Sequence, residues 1–336
     1  MIKIKVSTPW DHINFSERIS SKLTGYQFIF DTTVIECDYW IIWGGIKGVE
    51  ETTNCDPSNI IYLSDEAHEE RFFNKYFLNQ FASIITCRTD IKHRSVIPTH
   101  ELNTWLIKKS YDQIYNENFI PKTKILSVIS SDQTWLPGHK LRFAFVNKLI
   151  GHFKDKLDVF GKGFNPIADK YDGLAPYKYS VAIENSIIPG YFTEKIADCY
   201  LAHTMPIYYG CPDIGKYFDN KSFLYIDPQD YTIAFKKIEK LIEEDPYDQL
   251  LSVIEGQKKK YLEEYHIFNK LIRILESNFN PSGQKKKITI KNERCYQRGY
   301  KVNNFVHAAF KNLRLPPQLY FQVKFAQNST YANNLK

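Results

Sequence analysis

Pro176-Tyr177-Lys178-Tyr179-Ser180-Val181-Ala182-Ile183-Glu184-Asn185-Ser186 continues as Ile187-Ile188-Pro189-Gly190-Tyr191-Phe192-Thr193-Glu194-Lys195 and, beyond residues 196–205, reaches Pro206-Ile207-Tyr208-Tyr209-Gly210. The apolar run 179–183 is a buried strand that delivers Glu184 and Asn185 to its carboxyl end. Pro189-Gly190 makes a turn. Thr193 is an N-cap for a helix over 193–203, and 205–209 is a second strand. Glu194 and Lys195 then occupy the first helical turn at the mouth of a sheet. Free backbone N–H groups and a lysine at a helix start attract a pyrophosphate. A carboxylate is misplaced against phosphate but suits a ribose diol. The plainer alternative is a threonine cap followed by an acidic first turn.

Working outward, residues 124–130 and 157–160 read as strands, 139–153 as a helix with apolar Leu141, Phe145, Leu149 and Ile150, and 223–226 as a strand. Residues 231–244 and 247–277 read as helices. On the other side, strands are predicted at 2–6, 26–30, 38–43, 59–63 and 83–86, with helical stretches at 15–23 and 66–79. The polar segment 116–123, with Pro121, is a linker. Strands spaced by helices imply parallel sheets with crossovers. The fold expected is α/β of the GT-B type: two Rossmann-like domains, 1–120 and 121–280, facing a cleft at the carboxyl ends of their strands, plus a basic helical tail at 281–336.

Composition narrows the function. The net charge is +6, yet residues 281–336 alone carry eight Lys, three Arg and one acid, so the preceding residues are mildly acidic. Body and tail are expected to meet different partners. Within the tail, Val302, Phe305, Val306, Ala309, Phe310 and Leu313 share one helical face, which suits an anionic membrane surface or packing on the body. No nucleic-acid recognition motif accompanies the charge. Six cysteines lack any C-x-x-C spacing or neighbouring histidine cluster, which argues against zinc. The chain opens on a strand pattern, not a signal peptide, and has no run of about 18 apolar residues. The expectation is a cytoplasmic protein with reduced thiols, or one peripheral on the inner face of a membrane.

The run from Ala175 to Gly210, with its spacing between Glu184-Asn185-Ser186 and Thr193-Glu194-Lys195, closely resembles the signature of the α1,3/1,4-fucosyltransferases, glycosyltransferase family 10. The resemblance extends more loosely over residues 127–227. It implies an inverting transferase that moves L-fucose from GDP-β-L-fucose to a hydroxyl of an oligosaccharide or lipid-linked glycan, as in α1,3 linkage to GlcNAc. It implies that Glu194 holds the ribose hydroxyls and Lys195 the diphosphate. Asn185 and Tyr191 would contact fucose or diphosphate, and Glu184 would buttress the loop or touch the sugar. Arg142 corresponds to the family's diphosphate-binding arginine, whose fork matches phosphate oxygens. Phe160-Gly161-Lys162-Gly163 resembles the family's F-G-x-G turn.

The family's catalytic base is a glutamate just after an N-terminal-half strand. Glu66, in Ser64-Asp65-Glu66-Ala67-His68, stands at that place. Asp65, Glu69 and Glu70 are competitors, and all four could instead cap a following helix. No D-x-D motif occurs in a suitable loop, so lysine and arginine are expected to neutralise the leaving GDP without an obligatory metal or other cofactor. Asp11, after the first strand, suits either an acceptor contact or a turn. Two rival readings are a GT-B transferase using another nucleotide sugar and a non-catalytic glycan- or membrane-surface-binding protein.

Overall fold

The computed structural model describes residues 1–297. Six strands build the first sheet: β1 (Ile2–Ser7), β2 (Tyr26–Ile29), β3 (Tyr39–Trp43), β5 (Ile60–Leu63), β6 (Ser83–Thr86) and β7 (Val96–Pro98). β4 (Glu50–Cys55) lies apart from it. The order is β2-β1-β3-β5-β6-β7, all parallel. β3 and β5 are apolar at every position because both faces are covered. The second sheet contains β8 (Lys124–Ile129), β9 (Leu157–Phe160), β10 (Tyr177–Ile183), β11 (Met205–Tyr209) and β12 (Leu224–Tyr225), in the parallel order β12-β11-β10-β8-β9.

Seven α-helices accompany the sheets among the described residues: α1 (Lys75–Leu78), α2 (Tyr111–Asn116), α3 (Pro137–Phe153), α4 (Glu194–Leu201), α5 (Tyr231–Glu244), α6 (Tyr247–Lys260) and α7 (Ile267–Asn278). The loops after β5 and β10 touch: Ser186 Oγ donates to Glu69 at 2.9 Å and Asn185 Nδ2 to Glu70 at 3.1 Å. The carboxyl ends of both sheets therefore meet at one cleft. This is the GT-B architecture.

Several expectations need correction. The predicted helices at 15–23 and 66–79 shrink to a 3₁₀ turn at Phe15–Arg18 and the four-residue α1, capped by Asn74. No helix follows Ser64, so Asp65, Glu66, Glu69 and Glu70 cap nothing there. The long helix at 247–277 is broken by a π-helical turn, Tyr261–Tyr265, after which His266 leaves helical geometry at ψ 135°. That break redirects α7 away from the second sheet. Its apolar residues Ile267, Phe268, Leu271, Ile272, Ile274 and Leu275 pack on Ile4, Val6, Ile41 and Ile61 of the first sheet.

Residues 281–297 are also not a helical tail. β13 (Lys286–Lys291) pairs antiparallel with β4. The amphipathic face at 302–313 lies outside the described residues. We propose the boundary near residue 120 as a domain division, with α7 and β13 counted to the first domain.

Phe268 anchors this return. It is fully buried, with ring centroids 4.8 Å from Phe28 and 6.0 Å from Phe30. Phe268→Ala is expected to destabilise the protein by about 3–5 kcal/mol, because the sheet cannot collapse into the cavity left behind. Denaturant unfolding checks this; a loss below 1 kcal/mol would mean that α7 contributes little to the first core.

Candidate active site

β10 ends where the decisive stretch predicts. The Glu184 carboxylate, with 0% side-chain exposure, accepts from Thr193 N at 2.8 Å, Thr193 Oγ1 at 2.8 Å and Lys195 Nζ at 3.0 Å. One buried acid thus fixes the start of α4 and the lysine in its first turn. Thr193 also caps α4 by accepting from Lys195 N. Gly210 allows this arrangement, since a Cβ there would lie 2.4 Å from Glu184 Cγ.

Glu194 lies between two cations. Lys195 Nζ is 3.7 Å away and Lys170 Nζ 3.3 Å, and Lys170 also reaches Asp198 at 3.5 Å. Burial opposes ionisation of Glu194, but Lys195 and Lys170 outweigh it and hold the carboxyl at about 2. Burial likewise opposes the charge on Lys195, which Glu184 and Glu194 overcome, so its ammonium stays protonated above the usual lysine range. Asp198 is the counter-case: burial pushes it up to about 7 against the pull of Lys170. A cavity of about 30 Å³ beside Lys170, Lys195 and Asp198 has room for about one water.

Arg142 enters from α3, one turn past Gly138. A Cβ at Gly138 would lie 1.7 Å from the Asn185 carbonyl oxygen, so only glycine lets α3 start against that backbone. Arg142 Nη2 donates to Ser131 Oγ at 3.0 Å and Nη1 to Asn185 Oδ1. Its Nε has no partner among the described residues, and burial pulls the guanidinium below its usual range. The N-cap Leu136 offers α3 no side-chain cap hydrogen bond.

Glu66 sits across the cleft, on the loop after β5. Burial and the Glu70 carboxylate, to which it is hydrogen-bonded, push it well above the usual carboxylate range. Its three competitors are committed elsewhere. Asp65 accepts from Arg71 Nη1 at 2.9 Å, Glu69 from Ser186, and Glu70 from Asn185. Tyr191 is buried with Ala67, Cys87 and Ile188 between the two halves, and burial raises its hydroxyl far above the usual range.

The structure therefore brings Arg142, Glu184, Asn185, Glu194 and Lys195 together and sets Glu66 opposite, linked through Glu70 and Asn185. Tyr191 packs in the seam between the halves. Sequence reasoning missed Lys170, Ser131 and Asp198. Asp198 falls within the run from Ala175 to Gly210, four residues after Glu194; Lys170 sits in an irregular loop with no local pattern to mark it. Among the described residues, no group of three or more His, Cys, Asp or Glu is placed to hold a metal ion, and no helix is long and apolar enough to cross a membrane.

Residues 120–297 match the glycosyltransferase family 10 (fucosyltransferase) C-terminal domain, more than half of the chain. The chain belongs to glycosyltransferase family 10. Relatives in keeping with family 10 include the α-(1,3)-fucosyltransferase FucT of Helicobacter pylori, 44% identical over 64 residues, which are 19% of this chain and 13% of that protein. GDP-fucose protein O-fucosyltransferase 3 of Danio rerio is 30% identical over 99 residues, 29% of this chain and 20% of that one. The matches thus span a fifth or less of these curated relatives. Among solved structures, an α1,3-fucosyltransferase with GDP-fucose aligns at a TM-score of 0.45 and 19% identity over 79% of this chain and 92% of its own. TarM aligns at 0.44 and 13% identity over 72% and 55%.

Proposed function

We propose that this family 10 protein transfers L-fucose from GDP-β-L-fucose to a hydroxyl of a glycan acceptor, with inversion. The observation that carries the reading is a carboxyl, Glu66, held by one sheet opposite the Arg142–Asn185–Lys195–Glu194 array at the end of the other. Glu194 takes the ribose diol. Lys195 and Arg142 face the diphosphate and need no metal to neutralise it. Glu184 acts as a buttress, since its oxygens are occupied by Thr193 and Lys195. The acceptor oxygen attacks C1 of fucose while Glu66 takes its proton. The C1–O bond to the β-phosphate breaks, and GDP leaves with the electron pair. The proposed acceptors are oligosaccharide or lipid-linked glycans met at the inner face of the membrane.

The test incubates the full chain with GDP-fucose and a panel of N-acetyllactosamine and related acceptors, read by mass spectrometry. Fucosylated product is expected. No product on any acceptor, together with no thermal shift by GDP-fucose, overturns the reading.

The Glu66–Glu70 pair gives a pH signature. A base must be unprotonated to act, so kcat/KM rises with pH through the apparent pKa of Glu66. With that pKa raised, the acid limb lies well above pH 4–5. Glu70→Gln keeps an oxygen for Asn185 but removes the negative charge, so the limb is expected to move to lower pH by about one unit or more. An unmoved limb would assign it to another group.

A further inference from the structure

A cavity of about 500 Å³ opens beside the first sheet, apart from the Glu194–Lys195 cluster. It lies where β1 and β3 end side by side. The chain leaves β1 for β2 on one flank and returns as β3 on the other. The loops after these strands diverge and leave a crevice, the place where open α/β sheets hold ligands. The volume falls in the usual range of ligand pockets, about 300–1,000 Å³.

The floor is Gly44-Gly45. Gly44 adopts φ +70°, and a Cβ there would meet the Trp10 ring at 2.7 Å. At Gly45 a Cβ would meet only Arg71, at 3.8 Å, so bare backbone lines the cavity. One wall comes from the far end of the described chain. Asn292 Nδ2 donates to the Ile46 and Gly48 carbonyls at 2.7 and 3.0 Å, which fixes Glu293 and Gln297 beside the floor.

Arg71 ties floor to wall. It donates to the Gly44 carbonyl at 2.6 Å, to Asp65 at 2.9 Å and to Glu293 at 2.9 Å, and Glu293 accepts from Asn74 N at 2.9 Å. These bonds preform the cavity. They also connect it to the proposed base, since Asp65 precedes Glu66. Among the described residues, what remains to bind a ligand is chiefly the Asp11 carboxylate and the Lys47 ammonium, 3.5 Å apart, with 79% and 48% side-chain exposure. An exposed pair of this kind is weak and easily bridged.

We infer that this cavity is an acceptor subsite, holding a neutral sugar of the glycan beyond the residue that receives fucose. The inference rests on the fucosyl-transfer reading. In the lining, Asp11 and Glu293 stand against Lys47, Arg71 and Arg294, and Arg71 is already held by Asp65 behind the wall as well as by Glu293, so no unpaired cluster of cations marks the site for an anion. Asp11 can accept from sugar hydroxyls and Lys47 can donate to them, while the glycine floor admits a ring close to the backbone.

The test uses the full chain and two readouts. The first is the ratio of kcat/KM for an oligosaccharide acceptor to that for the monosaccharide glycoside of its fucosylated sugar. Asp11→Asn, and separately Lys47→Trp, which fills the cavity from an exposed position, are expected to lower that ratio about tenfold, equivalent to one or two hydrogen bonds. The GDP-fucose thermal shift checks that each variant is folded. The second readout is saturation-transfer NMR of the same oligosaccharide without donor, expected to fade in Lys47→Trp. An unchanged ratio, glycan binding that survives Lys47→Trp, no binding by the wild type, or an advantage confined to phosphorylated or uronate-bearing acceptors overturns the subsite. Glycan binding lost in the variant while no acceptor is ever fucosylated overturns the fucosyl reading and keeps the neutral-sugar cavity.

Discussion

Glu66→Gln is expected to lower kcat by about 10²–10⁴-fold, the range for loss of a general base, while GDP-fucose still raises the melting temperature as in the wild type. Glutamine keeps the shape of the side chain and can still hydrogen-bond to Glu70, but it cannot take a proton at the pH of the reaction. Donor binding is spared because the donor array lies on the other sheet, in Arg142, Asn185, Glu194 and Lys195. The neighbouring acids serve as controls. Asp65→Asn loosens Arg71 and the Gly44 turn that Arg71 holds, so its effect should appear in stability. Glu69→Gln disturbs a hydrogen bond from Ser186 and a 3.2 Å contact with the exposed His68 ring, neither of which reaches the donor array, and should retain most turnover. If Glu66→Gln turns over normally while Glu70→Gln does not, the base is Glu70.

The sequence made the strands legible and misplaced the helices of the first half. Tyr39–Trp43 and Ile60–Leu63 are short, wholly apolar runs, and a strand buried on both faces has no other reading at that length. The segment 66–79 has helix-forming composition, yet Arg71 bonds to Gly44, Asp65 and Glu293, and contacts remote in sequence hold it in an irregular loop. Residues 247–277 show continuous helical periodicity, and nothing local announces the π-turn that swings α7 onto the other sheet. β4 was missed because Glu50–Cys55 is polar. It is a strand only because β13, more than two hundred residues later, pairs with it.

The site divides along the same line. Glu184, Asn185, Glu194 and Lys195 sit within twelve residues, so one motif specifies them together. Lys170 and Ser131 reach the site through tertiary folding, and no pattern in their own segments marks them. Glu184 was open between buttress and sugar contact from sequence. We propose the buttress, because the three donors around it leave its buried carboxylate no need of another partner.

Arg142→Met is the second large effect expected. It should lower kcat/KM by about 10²–10³-fold, the range for removing one charge-stabilising donor, and abolish most of the GDP-fucose thermal shift, yet leave the melting temperature of the free protein unchanged or higher. The cause is unbalanced burial. Arg142 is 7% exposed, its Nε is unpartnered among the described residues, its two engaged nitrogens meet neutral oxygens of Ser131 and Asn185, and burial lowers its pKa. A buried cation without a paired anion costs stability; methionine fills similar volume without the charge. Lys195→Met should behave oppositely. It strands the Glu184 carboxylate, fully buried and, among the described residues, otherwise bonded only to Thr193, and breaking such a pair costs about 3–5 kcal/mol. Arg142→Lys should recover only part of the activity, since one ammonium cannot reproduce the guanidinium fork. If Arg142→Met instead melts far below the wild type and Lys195→Met does not, then Arg142 is the structural cation and Lys195 the one held ready for the diphosphate.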